Sequence, residues 1–397
     1  MKNLFLADAE ALADELTATR RDLHMHPELG FQEFRTAAIV ADQLNALGYE
    51  VITGVGKTGV VGLLSGGQPG DRTVLLRFDM DALPIDEAND VPYRSQTPGV
   101  MHACGHDAHV AVGLGVAKVL AKHRDQLPGT IKLMFQPAEE GLGGALAMIA
   151  DGVLDRIGPP ADRALGLHVS SMHHLGTAAM RVGPMMAASA SLTITVNGRG
   201  GHGAMPHDTV DAVVVAAQII VALQTIVARN TDPDATAVVT IGSITAGNAG
   251  NVIAETAVMR GTIRSFTPEV KALLRRRVPE VAQGVAAALG ASAEVFINEG
   301  VDATVNSAAP TAVMQAAAAK VLGADQIDMN FRTTGGEDFS AVLARVPGNF
   351  FMLGARNDAR GINAPHHNPR FDIDERCLPQ GVAILCDAAL EVLKGAG

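Results

Sequence analysis

The 397-residue sequence has no disulfide framework, no polybasic tract and no uninterrupted apolar stretch as long as a membrane span. Cysteine is scarce. Cys104, Cys377 and Cys386 are odd in number and lack framework spacing, which argues against a stapled secreted scaffold and fits a reducing, cytoplasmic compartment. Cys377 and Cys386 belong to an apolar helical pattern, where free cysteine acts as a small hydrophobe. Lys and Arg number 31 against 42 Asp and Glu, a net charge of -11, and the single basic triplet Arg275-Arg276-Arg277 reads as a solvated helix face. No nucleic-acid partner is therefore expected. The opening residues Met1 to Ala7 hold too short an apolar run for a secretory signal, and Asp8 and Glu10 interrupt it. No membrane association, internal repeat or low-complexity segment is expected either. What the chain does have is 48% hydrophobic residues against 18% charged, enough for one large core and more readily two.

The densest chemistry lies in Val100-Met101-His102-Ala103-Cys104-Gly105-His106-Asp107-Ala108-His109. Cys104 and His106 stand two apart, so an extended or tightly turned backbone can aim thiolate and imidazole to one side, with Gly105 permitting the turn. The competing reading is a helix start capped by Asp107 with solvated histidines. The neighbouring segments weigh against it. Runs over Val60–Leu64, Thr73–Phe78, Thr130–Phe135, Ala164–Val169 and Asn349–Gly354 read as buried strands, interleaved with helices over about 7–24, 34–47 and 108–121. Ligands of open α/β sheets bind beyond the carboxyl ends of strands, and Asp81, Glu139, Glu140, His168 and His367 all fall at or past such ends. His24 and His26 follow a helix C-terminus, where imidazoles are favoured for structural reasons.

The pattern changes between Ser189 and Glu299. Strand (191–197), helix (209–228), strand (237–245), strand (252–266), helix (269–289) and strand (293–298) follow the βαββαβ order of a ferredoxin-like unit. The expected organisation is a catalytic domain over 1–186 and 302–397, with residues 187–301 inserted. The inserted unit's first helix, Val210–Ile226, is apolar almost all round, which suggests burial on more than one side.

Six ordered motifs now carry a resemblance: His102-Ala103-Cys104-Gly105-His106-Asp107, Pro137-Ala138-Glu139-Glu140, Gly166-Leu167-His168, Gly200-Gly201-His202-Gly203-Ala204-Met205-Pro206-His207, Gly336-Glu337-Asp338-Phe339-Ser340 and His367-Asn368-Pro369. The chain resembles amidohydrolases of the aminoacylase and carboxypeptidase clan of co-catalytic metallopeptidases, in the branch of hippurate and indole-acetyl-amino-acid hydrolases. One departure is Gly336, where a serine would be expected. The resemblance implies an α/β fold: a mixed-sheet, three-layer metallopeptidase catalytic domain with an inserted ferredoxin-like lid and dimerisation domain.

It also implies two divalent cations bridged by Cys104, one held further by His106 and His168, the other by Glu140 and His367. His366 competes with His367 for the last place, and the spacing to Pro369 favours His367. Glu139 is implied as general base, and Asp81 as the carboxylate orienting a ligand or the base, with a turn cap as its alternative reading. Asn251, Arg264 and Gly335 are implied to grip the substrate, and His202 to supply an oxyanion donor across a homodimer or dimer of dimers. Thiolate, imidazole and carboxylate together suit Zn²⁺ and also fit Mn²⁺, Co²⁺ or Ni²⁺. The expected reaction is hydrolysis of the amide of an N-acyl-L-amino acid. A dipeptidase or aminopeptidase of the same clan is the alternative, and a binding protein with a decayed site is disfavoured because no ligand position is missing.

Overall fold

The computed structural model describes residues 3–396. Met1 and Lys2, the head of the segment read as carrying no signal, and Gly397, the end of the expected catalytic domain, lie outside the described residues. The chain divides into two compact units, one of Met1–Met185, Thr304–Arg332 and Asp338–Gly397, the other of Met186–Ala303 and Thr333–Glu337.

The first unit begins with α1 (Leu6–Ala11) and α2 (Ala13–Met25), so the single helix expected there is broken at Leu12. Then come α3 (Phe34–Ala46), β1 (Glu50–Val55), β2 (Gly59–Ser65), β3 (Gln68–Asp79), α4 (His106–Lys122), β4 (Pro128–Gln136), α5 (Gly144–Ala150), β5 (Arg163–His174), β6 (Ala178–Ala179) and β7 (Gly183–Met186). β1 escapes the sequence reading because it is largely exposed and carries no buried run.

The second unit holds β8 (Ala188–Asn197), β9 (Gly201–His202), α6 (Ala212–Thr225), β10 (Ala237–Ala246), β11 (Val252–Ile253), β12 (Thr256–Ser265), α7 (Pro268–Ala288) and β13 (Ser292–Glu299). The chain returns through β14 (Thr304–Asn306), α8 (Ala308–Leu322), β15 (Ile327–Asp328), α9 (Ser340–Leu343), β16 (Gly348–Arg356) and α10 (Cys377–Leu393).

The large sheet runs β1-β2-β4-β3-β5-β16-β6-β15 and is mixed: β4, β3, β5 and β16 lie parallel, and β1–β2, β2–β4 and β16–β6 pair antiparallel. The result is an α/β unit built on a mixed sheet, as the sequence led one to expect of it. Val74 to Asp79 of β3 are buried without a break, the pattern of a strand covered on both faces. α4 settles on it closely because Gly113 has no side chain; a Cβ there would lie 2.7 Å from the Phe78 and Phe135 rings.

In the second unit the sheet order β10-β12-β8-β13, with α6 after β8 and α7 after β12, is the ferredoxin-like arrangement. Leu192, Ile194 and Met259 form its core with one face of α6, Val215, Ala216, Ile219 and Leu223. The expectation that this helix is buried on several sides is corrected within the unit. Val213, Val214 and Val221 are 44%, 52% and 66% exposed, because only one stripe of a helix can face a single sheet. Ala212–Asn230 is also 19 residues long with a mean hydropathy of 2.0, long and apolar enough by composition to cross a membrane. The absence of a span-length apolar run therefore holds only for strictly uninterrupted ones, since Gln218, Gln224 and Arg229 interrupt this segment.

Candidate active site

The parallel strands of the first unit deliver their ends to a common side, and the polar residues gather there. β3 ends at Asp79, and two residues on Asp81 turns toward α4. Cys104 and Gly105 precede α4 directly, so His106 is the helix's first residue rather than standing before it. Gly105 has φ 94°, and a Cβ on it would lie 2.5 Å from Val169 Cγ2, so both backbone conformation and space demand glycine. Asp107 is not the cap expected of a bland helix start. Its Oδ2 accepts from Arg20 Nε at 2.8 Å and His24 Nδ1 at 2.7 Å, which gives His24 the structural role expected of it.

β4 leads into Pro137-Ala138-Glu139-Glu140, where Ala138 takes φ 53°. The buried carboxylate of Glu33 holds this turn, accepting the Ala138 N–H at 2.8 Å and the Thr58 hydroxyl at 2.5 Å. His168 lies inside β5 rather than at its end, two residues past Gly166, the last residue paired with β3. His367, also at positive φ (62°), is tied back by its own N–H to Ala103 O at 2.8 Å.

These residues form two trios that share one sulfur: Cys104 with His106 and His168, and Cys104 with Glu140 and His367, with the ligating atoms of each trio within 4.8 Å of one another. Cys104 Sγ is 3.4 Å from His168 Nε2, and His367 Nε2 is 3.2 Å from Glu140 Oε1. His367, not His366, joins a trio; His366 Nε2 instead accepts the Ser171 N–H at 3.3 Å. Glu139 and Glu140 are neighbours in sequence, yet both carboxylates turn toward the same cluster. Both reach within 4.8 Å of a His106 nitrogen, while Glu139 Oε1 accepts the Asp338 N–H at 3.4 Å. The kink at Ala138 permits this.

The donor set fits a pair of divalent cations. His106 Nε2 is buried with no hydrogen-bond partner among the described residues, while its Nδ1 donates to Asp81 Oδ1 at 3.2 Å. Burial pulls this imidazole down, but Asp79 and Asp81 more than reverse this and hold it well above the usual range, so a bound cation would take the place of the proton on Nε2. Asp81 Oδ2 accepts the Glu140 N–H at 3.0 Å. Burial holds His168 well below the usual imidazole range, so it is neutral and ready to ligate. Burial pushes the Cys104 thiol up, and the charge of Glu140 pushes it further, so a thiolate there needs a cation to stabilise it.

Several residues escaped the sequence reading. Arg77, fully buried in β3, donates to Gln136 Oε1 at 2.8 Å, Asp79 Oδ2 at 2.7 Å and Asp338 Oδ1 at 3.1 Å. Burial pushes Asp79 up, but Arg77, His106 and His109 more than reverse this and hold it well below the carboxylate range. An arginine inside an otherwise apolar strand was the available signal, since a buried charge requires partners.

In the second unit the remaining candidates form two separate pairs. His202 on β9 pairs across to Val252, beside Asn251, whose carbonyl accepts the Gly203 N–H at 2.8 Å. His202 itself is exposed, and its Nδ1 accepts the Ala204 N–H at 3.0 Å. Arg264 donates from Nε to Thr334 O at 3.1 Å, next to Gly335, whose carbonyl accepts the Ala187 N–H at 3.0 Å. Asn251 and Arg264 thus sit in different places within the unit. At Gly336 a Cβ would lie 3.0 Å from Val301 Cγ2 and 3.2 Å from Ser189 Oγ, so the expected serine would need these side chains to give by a few tenths of an ångström.

The peptidase family M20/M25/M40 matches residues 75–391. The chain belongs to this family. Among its relatives, thermostable carboxypeptidase 2 of Saccharolobus solfataricus is 41% identical over 94% of this chain and 94% of its own length. IAA-amino acid hydrolase ILR1-like 2 of Arabidopsis thaliana is 38% identical over 99% of this chain and 88% of its own. The crystal structure of the YXEP protein of Bacillus subtilis, a dinuclear metal binding peptidase of the M20 family, superposes with a TM-score of 0.83 at 33% identity, covering 97% of this chain and 99% of that one. The protein is accordingly an M20 hydrolase in the amidohydrolase branch, with the fold of a dinuclear metal-binding peptidase.

Proposed function

We propose that the protein hydrolyses the amide bond of N-acyl-L-amino acids, releasing a carboxylic acid and a free amino acid. The observation that carries this reading is the pair of donor trios sharing Cys104, with the carboxylate of Glu139 beside them. When bound, two divalent cations, Zn²⁺ by the chemistry of the donors, would supply Lewis-acid polarisation of the scissile carbonyl. Cys104 would bridge them, with His106 and His168 on one side and Glu140 and His367 on the other.

Glu139 takes the proton of the attacking water and returns it to the leaving amine. The Asp338 N–H steadies the base, and Asp81 keeps His106 in the tautomer that exposes Nε2. Arg264 and Gly335, and Asn251 from its separate place beside His202, would grip the substrate. The inserted unit would act as lid and dimerisation surface. The exposed apolar face of α6 would be covered by a second copy in a homodimer or dimer of dimers, and His202 of the partner subunit would meet the developing oxyanion. The proposed location is the cytoplasm.

A second reading, a peptidase acting on short peptides, draws support from the carboxypeptidase relative. The deciding experiment is a hydrolysis panel on metal-analysed protein, comparing benzoyl, acetyl, indole-acetyl and long-chain acyl amino acids with free-amine dipeptides. Preference for the acyl conjugates supports the first reading, and preference for the dipeptides overturns it.

A further inference from the structure

The second-turn histidine of α4, His109, belongs to neither trio sharing Cys104, and its two nitrogens have clear partners. Nδ1 makes a short hydrogen bond to Asp79 Oδ1, and since a carboxylate can only accept, the proton sits on Nδ1. Nε2 is then a lone pair, and it accepts the backbone N–H of Val169 at 2.9 Å. That amide needs such an acceptor. The ladder between β3 and β5 ends at Arg77 and Gly166, so Val169 N–H has run past the last strand partner on that side, deep in the core.

The carbonyl of the same residue, Val169, holds His168. Its Nδ1 donates to Val169 O at 2.6 Å, which leaves Nε2 unprotonated and facing Cys104 Sγ at 3.4 Å. Asp79, in turn, is fixed by Arg77 NH1 at 2.7 Å. Every member of this chain is buried.

We infer that His109 is a positioning residue: Asp79 sets its tautomer, and through the backbone of Val169 it fixes the place and tautomer of His168 in the Cys104 cluster. The inference rests on the reading of His168 as a metal ligand. It differs from the direct case, in which a carboxylate or carbonyl orients a ligand's own ring; here one histidine orients another through the backbone N–H and C=O of a shared residue, Val169. The donor on Asp79 and the acceptor for Val169 are separable by substitution. Glutamine can place a carbonyl oxygen near the position of Nε2, whereas asparagine reaches only to that of Nδ1 and leaves the amide unpaired.

The test is a competitive chelator titration of Zn²⁺-loaded protein. Wild type is compared with His109→Gln, His109→Asn, His109→Leu and, for the underlying reading, His168→Ala. In His109→Asn and His109→Leu one of the two cations should bind about tenfold to a hundredfold more weakly, the usual cost of removing a group behind a ligand, while the other stays within about threefold. His109→Gln should bind both within about threefold of wild type. If His109→Leu does not fold, the Gln and Asn pair decides. Wild-type affinity in His109→Asn, or a loss in His109→Gln as large as in His109→Asn, overturns the relay. If instead His168→Ala keeps both cations at full affinity, the ligand reading of His168 fails and takes the relay with it.

Discussion

Asp81 joins two candidate ligands that come from different parts of the chain: its Oδ1 accepts from His106 Nδ1 at 3.2 Å and its Oδ2 accepts the Glu140 N–H at 3.0 Å. One buried carboxylate thus orients a ring on α4 and the backbone beyond β4. Asp81→Asn turns an NH₂ toward one of those donors, and the affinity for divalent cations is expected to fall about tenfold to a hundredfold. Chelator titration checks this; affinity within about threefold of wild type would contradict the role.

Glu139→Gln should retain both cations and lose about two to four orders of magnitude in kcat, since proton transfer is removed and the donor trios are left intact. Steady-state kinetics on metal-analysed protein decide the matter. A near-normal kcat would exclude Glu139 as the base.

The part of the site built on strand ends was legible in the sequence because short apolar runs punctuated by Asp, Glu and His have one obvious arrangement in a parallel sheet. Cys104, His106, Glu140, His168 and His367 all lie where such ends converge. The layer behind them was not legible. Arg77 lies within a run that reads as uniformly buried, and His109 is one of several histidines in a motif whose spacing does not say which of them ligate. Only three-dimensional pairing reveals that Val169 lacks a strand partner on the β3 side or that Asp338 sits against Gln136 at 2.7 Å. β1 and the break at Leu12 were missed because neither has a periodic apolar signal.

Lys132 offers a pH test of burial. It lies in β4 without solvent contact, donating to Val153 O at 3.0 Å and Pro159 O at 2.7 Å, and burial pulls its ammonium from 10.5 down to about 8. Between these values the unfolded chain keeps a proton that the folded chain has released, so this group's contribution to stability rises with pH across that window. Urea unfolding of wild type and Lys132→Met at pH 7.5 and at pH 10 should show the difference moving in favour of wild type at the higher pH. A difference that does not change with pH would contradict the buried-ammonium account.

Subunit complementation tests the proposed role of His202. Mixing Glu139→Gln with His202→Ala under conditions that exchange subunits should restore part of the activity, because heterodimers would contain one site with both residues intact. No recovery despite demonstrated exchange would place the donor within its own chain or remove it from the reaction.

The central claim is a two-cation centre bridged by the Cys104 sulfur, and metal content after gel filtration of Cys104→Ser beside wild type tests it most directly. A hydroxyl is a far poorer bridging anion than a thiolate. The account predicts two divalent cations per wild-type chain and fewer than one in the variant, because both trios lose their shared donor; two tightly held cations in Cys104→Ser would contradict it.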